Sequence, residues 1–230
     1  MGNLAAELLE ELNCDTAFSF SVGSLQIDVA ESVVVTWVIM AFVLILSIFL
    51  TRNLKVRGEL SRRQIVAETI VTKLDSFISD MIGEEGKRYV PYLITVILYI
   101  GIANLIGLFG MKPPTKDLNV TAALSIMSIV LIQYAGIHQK GVKGWLRSFK
   151  EPIWVVTPIN ILELFIKPLS LCMRLFGNVL GGFVIMELIK LLIPAAIPVP
   201  FSFYFDIFDG LIQAYVFVFL TSLFIKEALE

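Results

Sequence analysis

The feature that most constrains this chain is a long apolar stretch with charges inside it, residues 160–193. On a helix of about 100° per residue, its polar positions form one narrow stripe, because they follow one another at spacings of 3 or 4 residues. The stripe contains Glu163, Lys167, Ser170, Arg174, Asn178 and Gly181. A charge at membrane depth costs at least ~2.5–3.5 kcal/mol, and a guanidinium cannot lose its proton to escape that cost. Arg174 is therefore predicted to be functional.

The composition is typical of an integral membrane protein: 57% of the 230 residues are apolar, and the mean hydropathy is +0.84. We expect one all-α membrane domain, residues 1–230. Cys14 and Cys172 fit no metal or redox spacing, and the sequence has no phosphate-binding loop or catalytic-triad motif. We therefore predict a non-catalytic chain with no cofactor, no bound metal and no nucleic-acid partner.

Three uncharged runs and two long apolar stretches that contain a few charges predict five transmembrane helices. These are residues 33–50, 90–111, 118–137, 159–193 and 201–226. A short proline-rich link joins the last two into a hairpin. The first helix of this hairpin would be ~50 Å long against a hydrocarbon core of ~30 Å. It must therefore tilt, protrude, or kink at Pro168.

Residues 61–83 read as an amphipathic helix that is too polar to span a membrane. Its predicted apolar face contains Val66, Ile70, Leu74, Phe77 and Met81. We expect this helix to lie on the cytoplasmic membrane surface. The alternative is that it packs on the bundle as a short soluble cap.

The charges also predict an orientation. Residues 1–32 are acidic and contain no Lys or Arg, and a basic cluster beginning at Arg52 follows the first span. Because positively charged loops stay in the cytoplasm, we expect residues 1–32 outside the cytoplasm and the C-terminus inside.

The hairpin brings titratable groups toward mid-membrane from both ends. Glu163 and Lys167 lie on the cytoplasmic side and can pair at i,i+4, either as an interfacial ion pair or as part of a site. Asp206 and Asp209 enter from the outside, with Glu187 also toward that side. The middle would hold only Arg174 and neutral amides, which predicts two offset aqueous half-paths separated by a fixed positive charge.

Two further features place a partner next to Arg174. Gly177 and Gly181 form a G-x-x-x-G motif whose bare backbone lets another helix come close, and Ser170 lies on the same stripe. A carboxylate on that partner could lose its ion on facing Arg174 and regain one from the other half-path. Gln213 approaches the depth of Arg174 across the hairpin and could hold its guanidinium.

The segment KPLSLCMRLFGNVLGG, residues 167–182, closely resembles the signature of the a subunit of rotary F-type ATP synthases. The resemblance covers roughly residues 90–225. Further segments that carry it are NLIG (104–107), PPTKDLNVT (113–121), HQKGVKG (138–144) and LIQAYVFVFL (211–220).

The resemblance implies a stator ion channel in the bacterial inner membrane, passing protons through two half-channels to a ring of c subunits. The implied partners are the c-ring, the b subunits of the peripheral stalk, the rest of the complex and the lipid bilayer. Arg174 matches the essential arginine, Asn178 and Gln213 match its polar neighbours, and Glu163 matches an acid of the cytoplasmic half-channel. Na⁺ is the alternative coupling ion.

The outer half-channel departs from the family pattern. Many bacterial members carry Glu nine residues after the arginine, where this chain has Phe183. The position seven before the matched glutamine is often His or Glu, and here it is Asp206. We expect Asp206 and Asp209, with Glu187, to supply the outer path.

Two functions of other classes compete with this interpretation. A self-contained secondary transporter would use Arg174 to bind an anionic substrate, although the sequence shows no internal repeat. A purely structural membrane anchor would tolerate Arg174→Leu, since that change removes an intramembrane charge.

Overall fold

The computed structural model describes residues 16–22, 25–52, 54, 61–149, 156–192 and 198–229. It confirms the all-α membrane class. Within these residues, five helical stretches are long and apolar enough to cross a membrane: Glu31–Thr51, Glu84–Phe109, Leu118–Ser148, Thr157–Lys190 and Pro200–Leu229.

The described part of the N-terminal segment forms a β-hairpin. Strand β1 (Thr16–Val22) pairs antiparallel with β2 (Leu25–Ala30). The sequence analysis predicted no structure there, although apolar residues alternate along both strands with the period of two that is typical of β-structure. Helix α1 (Glu31–Thr51) follows directly.

Helix α2 (Arg62–Ile82) packs on the bundle through a face that only partly overlaps the predicted one. It buries Ile78 and Ile82, while Val66, Ile70 and Phe77 of the predicted apolar face are exposed. The helix thus carries apolar residues on two sides. The side with Ile78 and Ile82 contacts the protein, and the Phe77 ring lies 5.9 Å from that of Tyr215, whereas Val66 and Ile70 form an open apolar face.

Helices α3 and α4 depart from the predicted ends of their spans. Helix α3 (Val90–Leu105) continues as a 3₁₀ turn, Ile106–Phe109, and stops at Gly110, whose φ of 76° is left-handed. Helix α4 (Leu118–Ser148) runs beyond the predicted end at residue 137. It bends at Gly141, where φ is 71° and ψ is 163°.

The C-terminal hairpin is one long helix followed by a composite one. Helix α5 (Thr157–Leu192) runs through Pro168 and has 36 residues, or ~54 Å at 1.5 Å per residue. The predicted single helix 201–226 is replaced by three pieces: a short helix α6 (Pro198–Ser202), a π-helical segment (Phe203–Asp209) and helix α7 (Gly210–Leu229).

Helix α7 lies in the centre of the bundle, in contact with α2, α3, α4 and α5. Its buried apolar residues, such as Phe217 and Val218, belong to one core cluster with Leu93 of α3 and Leu171 of α5. Where α7 begins, Gly210 lies so close to α3 that an added Cβ would be 2.8 Å from Asn104 Cβ. This close approach sets the position of the π-helical segment against α3.

Candidate functional site

Asn178 connects the two long helices of the hairpin. Its Nδ2 donates to Asp209 Oδ2 at 2.9 Å and to Gln213 Oε1 at 3.4 Å. The Gln213 side chain is buried, and its Nε2 has no hydrogen-bond partner within the described part of the chain. The structure therefore brings together three residues that the sequence analysis singled out.

These residues line a cavity of about 580 Å³ between α3, α5 and the π-helical segment, called here the first cavity. Asp206 and Asp209 both border it, as do Phe183 and Lys190. Both aspartates lie on the π-helical segment, and their side chains line the same cavity. Ser202 Oγ donates to Asp206 Oδ2 at 2.6 Å, so this hydroxyl contacts one of the two carboxylate oxygens.

Close backbone packing holds the wall of the first cavity in place. An added Cβ on Gly107 would be 2.7 Å from Asp206 Oδ1, so a larger residue there would require this carboxylate to shift. Asn104 Nδ2 donates to the Gly210 carbonyl at 3.0 Å, and Thr115 Oγ1 donates to Asn104 Oδ1 at 2.8 Å. This buried chain of hydrogen bonds joins the loop after α3 to the start of α7.

A lysine that the sequence analysis did not propose as a site residue lies behind Phe183. Lys116 is only 6% exposed, and its Nζ lies 3.9 Å from the Phe183 ring centroid. This is a cation–π contact. Nine residues after Arg174, this chain therefore presents an aromatic ring with an ammonium group against it.

A second cavity of about 380 Å³ lies near the other end of α5. Its lining includes Glu163, Lys167, Glu227, Lys140 and Trp145. The bend at Gly141 allows the last part of α4 to fold back, and Trp145 Nε1 donates to Gln133 Oε1 at 2.9 Å. The end of α4 thereby becomes one wall of the second cavity.

Lys167 is the central charge of the second cavity. Its Nζ lies 3.3 Å from Glu163 Oε2, which confirms the predicted i,i+4 pair. It lies closer still, at 2.7 Å, to Glu227 Oε1 near the end of α7. The sequence analysis missed Glu227 because this pair joins residues that are 60 positions apart.

Arg174 lies on α5 between the residues of the two cavities, and it is exposed. It lines neither cavity and makes no hydrogen bond or ion pair with the described residues. The expected contact between Gln213 and the guanidinium is absent from this part of the chain, because the Gln213 oxygen accepts from Asn178 instead.

The surface around Arg174 is open. An ideal Cβ added to Gly177 or Gly181 would have no atom within 4 Å, and Ser170 is half-buried. Large apolar side chains flank this strip, namely Leu162, Phe165, Leu169 and Met173. Glu187 is a residue of α5, but its side chain lies outside the described part of the structure.

Comparison of the chain with known proteins identifies one family. A family described as "ATP synthase A chain" matches residues 33–226. ATP synthase subunit a of Moorella thermoacetica is 38% identical over 205 residues, which is 87% of this chain and 91% of the relative. ATP synthase subunit a 2 of a Bradyrhizobium species is 36% identical over 91% of this chain and 92% of the relative.

The similarity includes a relative with a stated ion. A protein of Propionigenium modestum named "ATP synthase subunit a, sodium ion specific" is 31% identical over 93% of this chain and 78% of its own length. The family match, these long alignments and the five apolar helices agree with the resemblance carried by the arginine segment. The chain belongs to the ATP synthase A chain family, the subunit a of the F-type ATP synthase membrane sector.

Proposed function

We propose that this chain is the stator ion channel of a rotary ATP synthase. It passes ions through two offset half-channels to and from carboxylates on a c-ring, and so couples ion flow to ATP synthesis in other subunits. The observation that carries the proposal is the arrangement along α5: two cavities bordered by carboxylates, with the exposed Arg174 between them.

In this proposal the first cavity is the outer half-channel, with Asp206 and Asp209 as its carboxylates. The second is the cytoplasmic half-channel, with Glu163. The assignment of sides follows the distribution of lysine and arginine along the chain. It places residues 1–32 outside the cytoplasm and the C-terminus inside, in a bacterial cell membrane.

The open strip of α5 is the proposed contact with the c-ring. Gly177 and Gly181 leave room for a neighbouring helix, and Arg174 projects beside them with no partner among the described residues. A ring carboxylate that reaches Arg174 would release its ion and pair with the guanidinium instead. The b subunits and the rest of the complex would hold the chain still while the ring turns.

A fixed positive charge between the half-channels also prevents a short circuit. A cation crossing directly would approach an arginine that cannot be neutralised by losing its proton. Each elementary charge moved through 100 mV gains ~2.3 kcal/mol, so a leak would waste energy that the ring must collect over several steps.

We propose protons as the coupling ion. The aspartates of the first cavity and the glutamate of the second carry carboxyl groups, which can bind and release protons. The alternative is Na⁺, which the name of the Propionigenium relative states for that protein.

The secondary-transporter alternative would have Arg174 bind an anionic substrate within this chain. An arginine with that role should border a cavity, and Arg174 borders neither of the two cavities described here.

The test is ATP-driven ion pumping in inverted membrane vesicles that contain the whole complex. Arg174→Ala should abolish pumping while the complex remains assembled. Arg63→Ala is the matched control, because this exposed arginine stacks on Phe49 and borders neither cavity. Repeating the assay with and without Na⁺ identifies the ion. Normal pumping by the Arg174→Ala complex would contradict the proposal.

A further inference from the structure

We propose that Glu227 is a second proton-exchanging carboxylate of the cytoplasmic half-channel, sharing Lys167 with Glu163. This inference rests on the function proposed above. It adds a residue from the end of α7 to a path that the sequence places on α5 alone. Glu227 Oε1 lies 2.7 Å from Lys167 Nζ, and both side chains line the second cavity.

The exposure of the three charged groups gives them different roles. The Lys167 side chain is 21% exposed, whereas those of Glu163 and Glu227 are 46% and 57% exposed. The ammonium therefore lies deeper than the two carboxylates that it joins. Both carboxylates can meet water that enters from the aqueous side.

A single ammonium between two carboxylates leaves one negative charge to be compensated. Among the described residues of the lining, the other charged group is Lys140, at the bend of α4. When Glu227 takes a proton from hydronium, its carboxylate becomes neutral and a water molecule remains. Lys167 then stays paired with Glu163, and release of the proton to the path restores the starting state.

Further contacts separate this arrangement from an ordinary surface ion pair, which contributes little. Lys167 Nζ also lies 5.2 Å from the ring centroid of Phe224, about one helical turn before Glu227. By contrast, the pair between Lys87 and Glu84 has the same distance of 2.7 Å, but its side chains are 55% and 85% exposed, and neither residue lines either cavity.

The experiment compares Glu227→Gln with the parent complex in ATP-driven pumping from the cytoplasmic face. Glutamine keeps the size and can accept a hydrogen bond from Lys167, but it cannot bind a proton. We expect pumping to fall about tenfold, less than the ~10²-fold typical of an essential acid or base, because Glu163 remains. The loss should deepen as the cytoplasmic-side pH rises, since proton capture then limits the rate.

Two variants make the result specific. Glu227→Asp keeps a carboxylate and should restore the parental pH profile, while Glu84→Gln removes a surface pair of equal length and should change nothing. An unchanged pH profile for Glu227→Gln would overturn the inference, even if the rate fell, because a purely structural pair alters rate without altering proton capture. The ATPase activity that stays bound to the membranes measures how much of the complex has assembled.

Arg174→Ala in the same vesicles separates the two proposals. If Arg174→Ala abolishes pumping while Glu227→Gln keeps the parental pH profile, this inference is wrong and the proposed function stands. If the Arg174→Ala complex pumps normally, the proposed function is wrong, and the role of Glu227 falls with it.

Discussion

At the scale of single residues, the site depends on one amide that contacts two helices. Asn178 is the residue of α5 that donates to Asp209 and to Gln213. Replacing it with Leu should leave both acceptors facing an apolar side chain. The buried Gln213 would then have an unsatisfied acceptor, which costs ~1–3 kcal/mol, and the Asp209 carboxylate would lose the donor that holds it in position.

We therefore expect Asn178→Leu to lower ATP-driven pumping about tenfold, the rate equivalent of ~1.4 kcal/mol, with the complex still assembled. Asn119→Leu is the control, because the Asn119 side chain is exposed and only its backbone nitrogen donates to Asp117. Parental pumping by Asn178→Leu would show that the contact with Asp209 has no part in the outer path.

Some contacts between residues could be predicted from the sequence, and others could not. The contact between Glu163 and Lys167 follows from the pitch of one helix, so it was predicted. The contacts of Lys167 with Glu227, and of Lys116 with Phe183, depend on how distant segments fold together. No local periodicity contains that information.

At the scale of helices, the start of α7 depends on the absence of a side chain at Gly210. A methyl group there would lie 2.8 Å from Asn104 Cβ, so Gly210→Ala should force α7 away from α3. Such overpacking costs about 1–3 kcal/mol, measured as the free energy of unfolding in detergent micelles. Gly101→Ala, whose nearest atom would be Leu211 Cδ2 at 4.0 Å, should change it far less. Equal stability losses for the two variants would contradict this account of the contact.

The open strip of α5 gives a prediction about assembly. Gly177→Val should leave the chain itself folded, because an added Cβ has no atom within 4 Å. It should nevertheless reduce co-purification of the c-ring, since the larger side chain blocks a neighbouring helix. Ala123→Val enlarges an exposed small residue on α4 and should have no such effect. Full recovery of the ring with Gly177→Val would mean that the ring lies elsewhere.

The helices themselves were largely predictable, and their irregularities were not. A long apolar run must satisfy its backbone polar groups inside the bilayer, and a helix does so within one segment, so the five apolar stretches could be predicted from the sequence. The π-helical segment Phe203–Asp209 has no such signal. A π-helix has i→i+5 hydrogen bonds and therefore more residues per turn than an α-helix. Extrapolating α-helical positions across this segment therefore gives the wrong direction for Asp206 relative to Gln213.

At the scale of the whole molecule, the chain separates its polar groups into two regions. The first cavity opens beside the loop after α3, and the second beside the bend of α4. Apolar side chains elsewhere on the outside, such as Phe42, Ile45, Met127 and Val130, are exposed as in a lipid-facing surface. The central claim is that the two cavities open to opposite sides of the membrane and do not join.

Side-specific cysteine labelling tests that claim most directly. Val179 lines the first cavity and Leu164 the second, so each would be replaced by cysteine in a background of Cys14→Ser and Cys172→Ala. The complex would be treated with a membrane-impermeant maleimide in right-side-out and in inverted vesicles. We predict that Val179→Cys reacts only from the outside and Leu164→Cys only from the cytoplasmic side. Labelling of both positions from one side, or of each position from both sides, would contradict two separate half-channels.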